Sequence, residues 1–172
     1  DYYEVQSISE NAFTNDQLSK TDFVVLNGLN TISSATIASL VSFAKESGTI
    51  ALFPGENINF QAWNSLLQQL SLPRLTALQS VGVKVKSIHS NDAFFNGVFE
   101  KKPTDLNLPL QTKIYMSSGG SSLPLITLQN GLPLFVRSNS TTRAYLFCSS
   151  LTPSFGNFTS NALFSTLVLR MA

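Results

Sequence analysis

The sequence predicts an α/β fold: a three-layer sandwich with a mainly parallel sheet and an antiparallel hairpin extension. Three observations predict it. Two continuous apolar runs of strand length, Phe23-Val24-Val25-Leu26 and Ile50-Ala51-Leu52-Phe53, lack apolar–polar alternation and so need cover on both faces. Between them Ile37, Leu40, Val41 and Ala44 recur at i, i+3, i+4 and i+7, which places a helix between two parallel strands. Later the period falls to two. Val81, Val83 and Val85 alternate with Gly82, Lys84 and Lys86, as in a strand with one wet face.

The remaining elements follow in chain order. Residues 2–8 alternate and are rich in aromatic and β-branched side chains, which predicts a strand. Residues 11–18 form a short polar connection with one helical turn. Ser33 or Ser34 caps the first long helix by accepting from unpaired backbone N–H groups. Lys45 suits its last turn, and Gly48 stands where a left-handed residue closes a helix. Pro54-Gly55-Glu56-Asn57 is a tight turn. Asn57 or Asn59 then caps a second helix with the face Trp63, Leu66, Leu67 and Leu70, and Pro73 ends it.

Residues 93–99 carry Phe94, Phe95, Val98 and Phe99 as one or two helical turns against the core, and residues 101–109 are irregular. Residues 111–116 read as a strand and 117–122 as a flexible loop. Residues 123–129 and 132–137 flank Asn130-Gly131, the pair that supplies two positive-φ residues to a type I′ hairpin turn. Residues 143–149 make a buried-type strand. Residues 161–171 form the last helix, with Leu163, Phe164, Leu167 and Val168 inward. No repeat or linker divides the chain, so residues 1–172 read as one domain. A doubly wound domain opens on a buried strand and helix, which residues 2–8 do not resemble. The chain is therefore expected to be a piece whose parent begins earlier.

At 43% hydrophobic and 12% charged residues the composition is that of a folded, weakly charged protein. The net charge is +1, and the nearest thing to a basic cluster, Lys84, Lys86, Lys101 and Lys102, is a poor footprint for nucleic acid. A lone cysteine, Cys148, excludes an internal disulfide. No run approaches the ~20 apolar residues that span a bilayer. Cys148 and His89 cannot supply the four ligands of structural zinc, and no metal or cofactor is expected.

The stretch from Asp22 to Asn59, DFVVLNGL…SFAKESGTIALFPGENIN, resembles the class I glutamine amidotransferase-like fold, a flavodoxin-like architecture. Over nearly the whole chain, FPGENINFQAWNSLL, HSNDAFFNGVF, LPL at 108–110, LQNGLPLF, AYLFCSSLTPSFGNF and NALFSTLVLRMA, in that order, resemble the C-terminal domain of bacterial aerotolerance (BatA-type) membrane proteins. In such proteins the last stretch runs into a transmembrane helix. The resemblance implies a membrane-anchored parent, an extracytoplasmic (periplasmic) domain, and a protein or cell-envelope partner.

It also implies a site that this sequence lacks. The amidotransferase nucleophile is a cysteine in a strained G-x-C-x-G turn, with His and Glu after the last strand. Here the turn is Leu52-Phe53-Pro54-Gly55-Glu56, and after Ser149 come Thr152, Asn157 and Asn161 without a histidine or an acid. Without a thiolate there is no thioester, and without a base no proton transfer. The resemblance thus implies the framework and a non-catalytic domain.

Two alternatives remain in the residues themselves. Ser117, Ser118 or Cys148 could act as a displaced nucleophile with His89, given convergence within hydrogen-bond reach. Cys148 lies between Phe147 and Ser149 in a buried-type strand, where a thiol packs as a small hydrophobe. Asn27, Gly28, Gly55, Glu56 and Asn57 lie at the carboxyl ends of the predicted parallel strands, where doubly wound sheets bind small ligands. The plainer account makes Pro54, Gly55 and Asn57 a turn and a cap. Ser117-Ser118-Gly119-Gly120 lacks the lysine and following helix of a phosphate cradle and reads as a flexible loop.

Overall fold

In the computed structural model, which describes residues 4–98 and 108–172, seven strands form one mixed sheet. They are β1 (Phe23–Leu29), β2 (Thr49–Pro54), β3 (Arg74–Ile88), β4 (Leu110–Ser118), β5 (Ser122–Leu128), β6 (Pro133–Ser138) and β7 (Arg143–Phe147). The helices are α1 (Asn15–Leu18), α2 (Ser34–Lys45), α3 (Phe60–Gln69) and α4 (Ala162–Met171). The spatial order is β1-β2-β7-β6-β5-β3-β4. Only β1–β2 and β2–β7 run parallel, and the other pairs are antiparallel. The sheet is α/β but not mainly parallel. Parallel neighbours need a crossover, and after β4 the chain turns back through short connections.

Every residue of β2 is buried, so both its faces are covered. Phe164 of α4 packs on Phe53 from one side, and α2 and α3, which pack on each other, account for the other. The expectation of full cover fails for β1. It is an edge strand, and Val25 is 46% exposed. The predicted strand at residues 2–8 is absent over its described part. Residues 4–8 join no ladder, and Val5 is 87% exposed. Alternation alone makes no strand without a partner edge. Residues 1–3 and 99–107, with Phe99, Lys101 and Lys102, lie outside the described residues.

The helix ends follow local chemistry, with one exchange of roles. Ser33 caps α2 by accepting from the Thr36 N–H, and Asn59 caps α3 by accepting from the Ala62 N–H. At the end of α2 the left-handed residue is Ser47 (φ 77°), not Gly48. The Gly48 N–H donates to the Phe43 carbonyl, as in a Schellman motif. Gly48 is required for another reason: a Cβ there would sit inside the Phe43 ring. The end of α3 repeats the device, with Ser71 at φ 58° and the Leu72 N–H donating to the Leu67 carbonyl. Pro73 follows, past the point where the helix has already ended.

The hairpin is where the Asn130-Gly131 signal puts it, but its turn differs from the expected type I′. Gly131 has φ 85°, whereas Asn130 does not enter the positive-φ region. The Gly131 N–H donates to Leu128 O and the Leu128 N–H to Leu132 O, the pattern of a type I turn followed by a glycine bulge.

Strand β3 sets where β4 lies. Arg74 pairs with Ser118 and Ile88 with Ile126. The chain from 118 to 126 spans about 28 Å at most, whereas β3 from 74 to 88 would span about 46 Å if straight. The strand must therefore bend. Its ladders slip at Leu75/Ala77, Ser80/Val83 and Val85/Ser87, and Gly82 takes φ 63° inside the second slip. Bulges of this kind bend a strand and raise its twist. The first half of β3 carries β4, and the second half joins β5.

Two substitutions test the helix ends. Ser71→Gly relieves a left-handed serine and is expected to raise stability by about 1 kcal/mol. Gly48→Ala must displace the Phe43 ring and is expected to lower it. Denaturant unfolding midpoints of both variants measure this.

Candidate functional site

The turn after β2 does bring the predicted residues together. Asn27 pairs with Phe53 and Leu29 with Pro54, so Gly28 (φ 75°) is left as a bulge between them. The Gly55 N–H donates to Leu29 O at 3.0 Å, and the Asn57 N–H to Asn30 Oδ1 at 3.1 Å. Trp63, fully buried, donates its indole N–H to the same Leu29 carbonyl at 3.1 Å. A Cβ on Gly55 would lie 2.7 Å from Gly28 O and 2.9 Å from Leu29 O, and would also strike Asn30 Oδ1. Gly55 is thus a close-approach residue. Gly55 is buried, while Asn27, Gly28, Glu56 and Asn57 stand at the surface.

The decisive side chain comes from elsewhere in the chain. β4 lies against the chain that continues from β7: the Tyr115 N–H donates to Cys148 O at 2.8 Å. The Tyr115 hydroxyl then donates to Gly55 O at 2.7 Å and accepts from the Ile58 backbone N–H. Its ring lies edge-on to Phe60, 6.0 Å between centroids, and against Phe155 at 5.9 Å. A hydroxyl therefore does stand at the turn where an amidotransferase elbow would hold its nucleophile. It is not poised. Burial pushes its pKa up, the negative charge of Glu56 adds to this, and the Ile58 bond offsets only part. At neutral pH it is a buried, protonated donor engaged on both sides. Nothing in the sequence marked Tyr115 or Asn30 as partners of this turn, because both reach it through pairing between distant segments.

The displaced-nucleophile residues do not assemble. Cys148 is fully buried, and burial pushes its thiol up to about 12 despite a hydrogen bond from Ser117. A thiol that stays protonated in an apolar strand is no nucleophile. Ser118 is exposed at the end of β4. His89 makes no hydrogen bond to Ser117, Ser118 or Cys148 and sits instead beside Asp92. Ser117-Ser118-Gly119-Gly120 ends β4 and turns toward β5, and no helix follows it.

Beside this turn, Gln111 ties β4 to the segment after β7. Its amide nitrogen donates to Lys113 O at 2.9 Å, to Phe155 O at 2.7 Å and to the Ser149 hydroxyl. Its Oε1 is buried without a partner. An indentation of about 150 Å³, partly open to solvent, is lined by Gln111, Ser150, Thr152 and Phe158 and does not reach residues 53–57.

A second polar group lies on the α4 face of the sheet. Arg137 on β6 grips Asp92 through Nε and Nη2, the shortest contact being 3.0 Å. Arg137 lies opposite Tyr145 on β7. The Tyr145 ring stacks on Phe135 at 5.9 Å and tilts against Phe94 at 5.3 Å. Arg170 donates from Nε to the Phe94 carbonyl at 2.8 Å.

No family model and no curated protein matches the chain. Solved structures do share its fold. An exo-β-1,4-mannosidase from Opitutaceae bacterium strain TAV5 is similar over 90% of this chain and 24% of its own, at 12% identity and a TM-score of 0.51. A GH42 β-galactosidase is similar over 90% of this chain and 22% of its own, at 10% identity and a TM-score of 0.58. A catalytic mutant of that galactosidase, from G. stearothermophilus, gives 87% and 21% at 10% identity, with a TM-score of 0.56. The chain spans less than a quarter of the length of these enzymes. At such identities the likeness is one of fold alone.

Two variants probe these clusters. Tyr115→Phe leaves the Gly55 carbonyl and the Ile58 N–H unpaired in the interior and is expected to cost about 1–3 kcal/mol in denaturant unfolding. For Asp92, burial pushes the carboxyl up, but the bonds from Arg137 and the Phe94 N–H and the charges of Arg137 and His89 hold it below its ordinary value of 3.8. A depressed folded pKa stabilises above the ordinary value, and that contribution is lost as pH falls through the folded one. Asp92→Asn is therefore expected to flatten the fall in stability below pH 3.8, read from melting temperatures across an acid series.

Proposed function

We propose that this chain is a non-catalytic interaction domain built on a glutamine amidotransferase-like, flavodoxin-like framework. One observation carries the proposal. The turn after β2, where the resemblance would put a nucleophile, holds Pro54, Gly55 and Glu56 and is closed by the Tyr115 hydroxyl. The remaining thiol is buried and protonated, and the lone histidine is bonded to none of the candidate nucleophiles. The occurrence of the fold as a quarter-length part of longer chains is in keeping with a module. In the same proposal the parent is a membrane-anchored bacterial protein, and the domain meets a protein or cell-envelope partner outside the cytoplasm. That portion rests on the resemblance of the sequence stretches. No helix among the described residues is long and apolar enough to cross a membrane.

Broad chemical probes give the test. Native protein is expected to take no label from iodoacetamide or from a fluorophosphonate, and to release no ammonia from glutamine. In guanidinium, iodoacetamide is expected to modify Cys148. Stoichiometric labelling of a serine or of Cys148 in the native state sinks the proposal.

A further inference from the structure

We propose that Arg137, Arg143, Arg170 and Tyr145 form a docking surface for an acidic segment of a partner protein, one that presents carboxylates. The proposal rests on the interaction-domain function above and names the kind of partner.

Three of the four arginines in the chain gather here, Arg74 being the other. The fold assembles them from three elements. Arg137 lies opposite Tyr145 across β6–β7, and Arg143, two residues before Tyr145, shares its face of the sheet. Arg170 comes from the last turn of α4 and is anchored through Nε to Phe94 O, the carbonyl of a residue that packs on Tyr145. All three arginines act electrostatically on the Tyr145 hydroxyl, and among the described residues Asp92 is the one carboxylate that does. Among the described residues three guanidinium charges thus face one carboxylate, which leaves a surplus of positive charge.

The donors are also free. Arg143 is exposed and, among the described residues, has no hydrogen bond or ion pair, and Arg170 uses only Nε. The half-buried Tyr145 hydroxyl has no hydrogen-bond partner among the described residues. Arg137 shows what the surface does with a carboxylate, since it holds Asp92 through two nitrogens of one fork.

Carboxylates fit better than a phosphate. A phosphate site gathers backbone N–H groups in a nest or at a helix N-terminus, and here the donors are side chains spread over a sheet face and the last turn of a helix. Arginine and tyrosine set on packed aromatics are also the residues that dominate protein–protein contacts. Leu169, 61% exposed, adds an apolar neighbour to Arg170.

The probe is a fluorescein-labelled peptide of alternating glutamate and leucine, with glutamine replacing glutamate in the control, followed by anisotropy. The glutamate peptide is expected to bind at least about ten-fold tighter than the control, and less tightly as salt rises. Arg143→Glu with Arg170→Glu is expected to weaken it at least about ten-fold, and Arg143→Gln alone about three-fold. Arg74→Glu with Lys45→Glu makes the same change in net charge away from the surface and is expected to leave affinity within about two-fold. Equal weakening by both pairs, equal binding of the control peptide, or full displacement by millimolar inorganic phosphate overturns the proposal. Absence of peptide binding by protein that also resists the chemical probes removes this surface and leaves the interaction domain standing. Native-state labelling removes the interaction domain itself and does not alter the peptide result.

Discussion

The bend in β3 is the constraint on which the rest of the molecule depends. A straight strand of that length would carry β4 away from the parallel strands. The three slips and the left-handed Gly82 turn it back, so that β4 lies along the chain leaving β7. Tyr115 is thereby delivered to the turn after β2. In open α/β sheets that edge is where ligands bind, because strand ends and helix starts leave a crevice there. Here the crevice is spent on structure: the polar backbone of Gly55 and Ile58, which a ligand could otherwise meet, is satisfied by a phenol from inside the chain. Trp63 and Asn30 close the same turn from the β1 side.

How far the sequence reveals this depends on distance along the chain. Residues 23–70 are legible because strand, cap, stripe and stop all lie within a few residues of one another. Ile37, Leu40, Val41 and Ala44 are buried as a stripe, and so are Trp63, Leu66, Leu67 and Leu70. The opening of β3, RLTALQS, has neither period, and its burial pattern shows almost no inward face. It becomes a strand because β4 pairs with it, and pairing across 30 or more residues leaves no local mark. Tyr115 is missed for the same reason. It stands in an ordinary strand run, and only the bend gives it a role. The exchange between Ser47 and Gly48 is subtler. The sequence shows a glycine where a helix ends, but two needs coincide there, a left-handed residue and room for the Phe43 ring, and glycine serves the second. The failed strand at residues 2–8 teaches the converse, since a favourable alternation stays irregular when no edge takes it.

The candidate site divides in the same way. Asn27, Gly28, Gly55, Glu56 and Asn57 are brought together as their places at strand ends require, so their proximity was legible. Whether the place is open was not, because that depends on β4. For Cys148 the neighbours Phe147 and Ser149 already point to burial, and the structure adds the magnitude: a thiol raised to about 12 has no thiolate to offer near neutral pH. His89 shows the limit of counting. A lone histidine is available to any triad on paper, but the strand end that carries it sets it beside Asp92.

A turn braced from inside the chain directs attention to the other polar face of the sheet. Enzyme sites draw strength from a dry cavity, in which a few fixed dipoles act at low dielectric. Recognition on an open sheet face has no such amplification, and a single exposed ion pair contributes little. Such a surface gains strength only when several groups act together on a rigid platform. The α4 face supplies that platform: Tyr145 is held between Phe135 and Phe94, Arg137 is oriented by Asp92, and Arg170 is pinned to a backbone carbonyl. Each of these side chains has already lost much of its rotamer freedom, so a partner would not bear that entropy on binding. The same bonds do not include Arg143, which is exposed and, among the described residues, unpaired. Anchored side chains around one exposed charge are what a selective but reversible contact requires, and in this chain that arrangement lies on the α4 face.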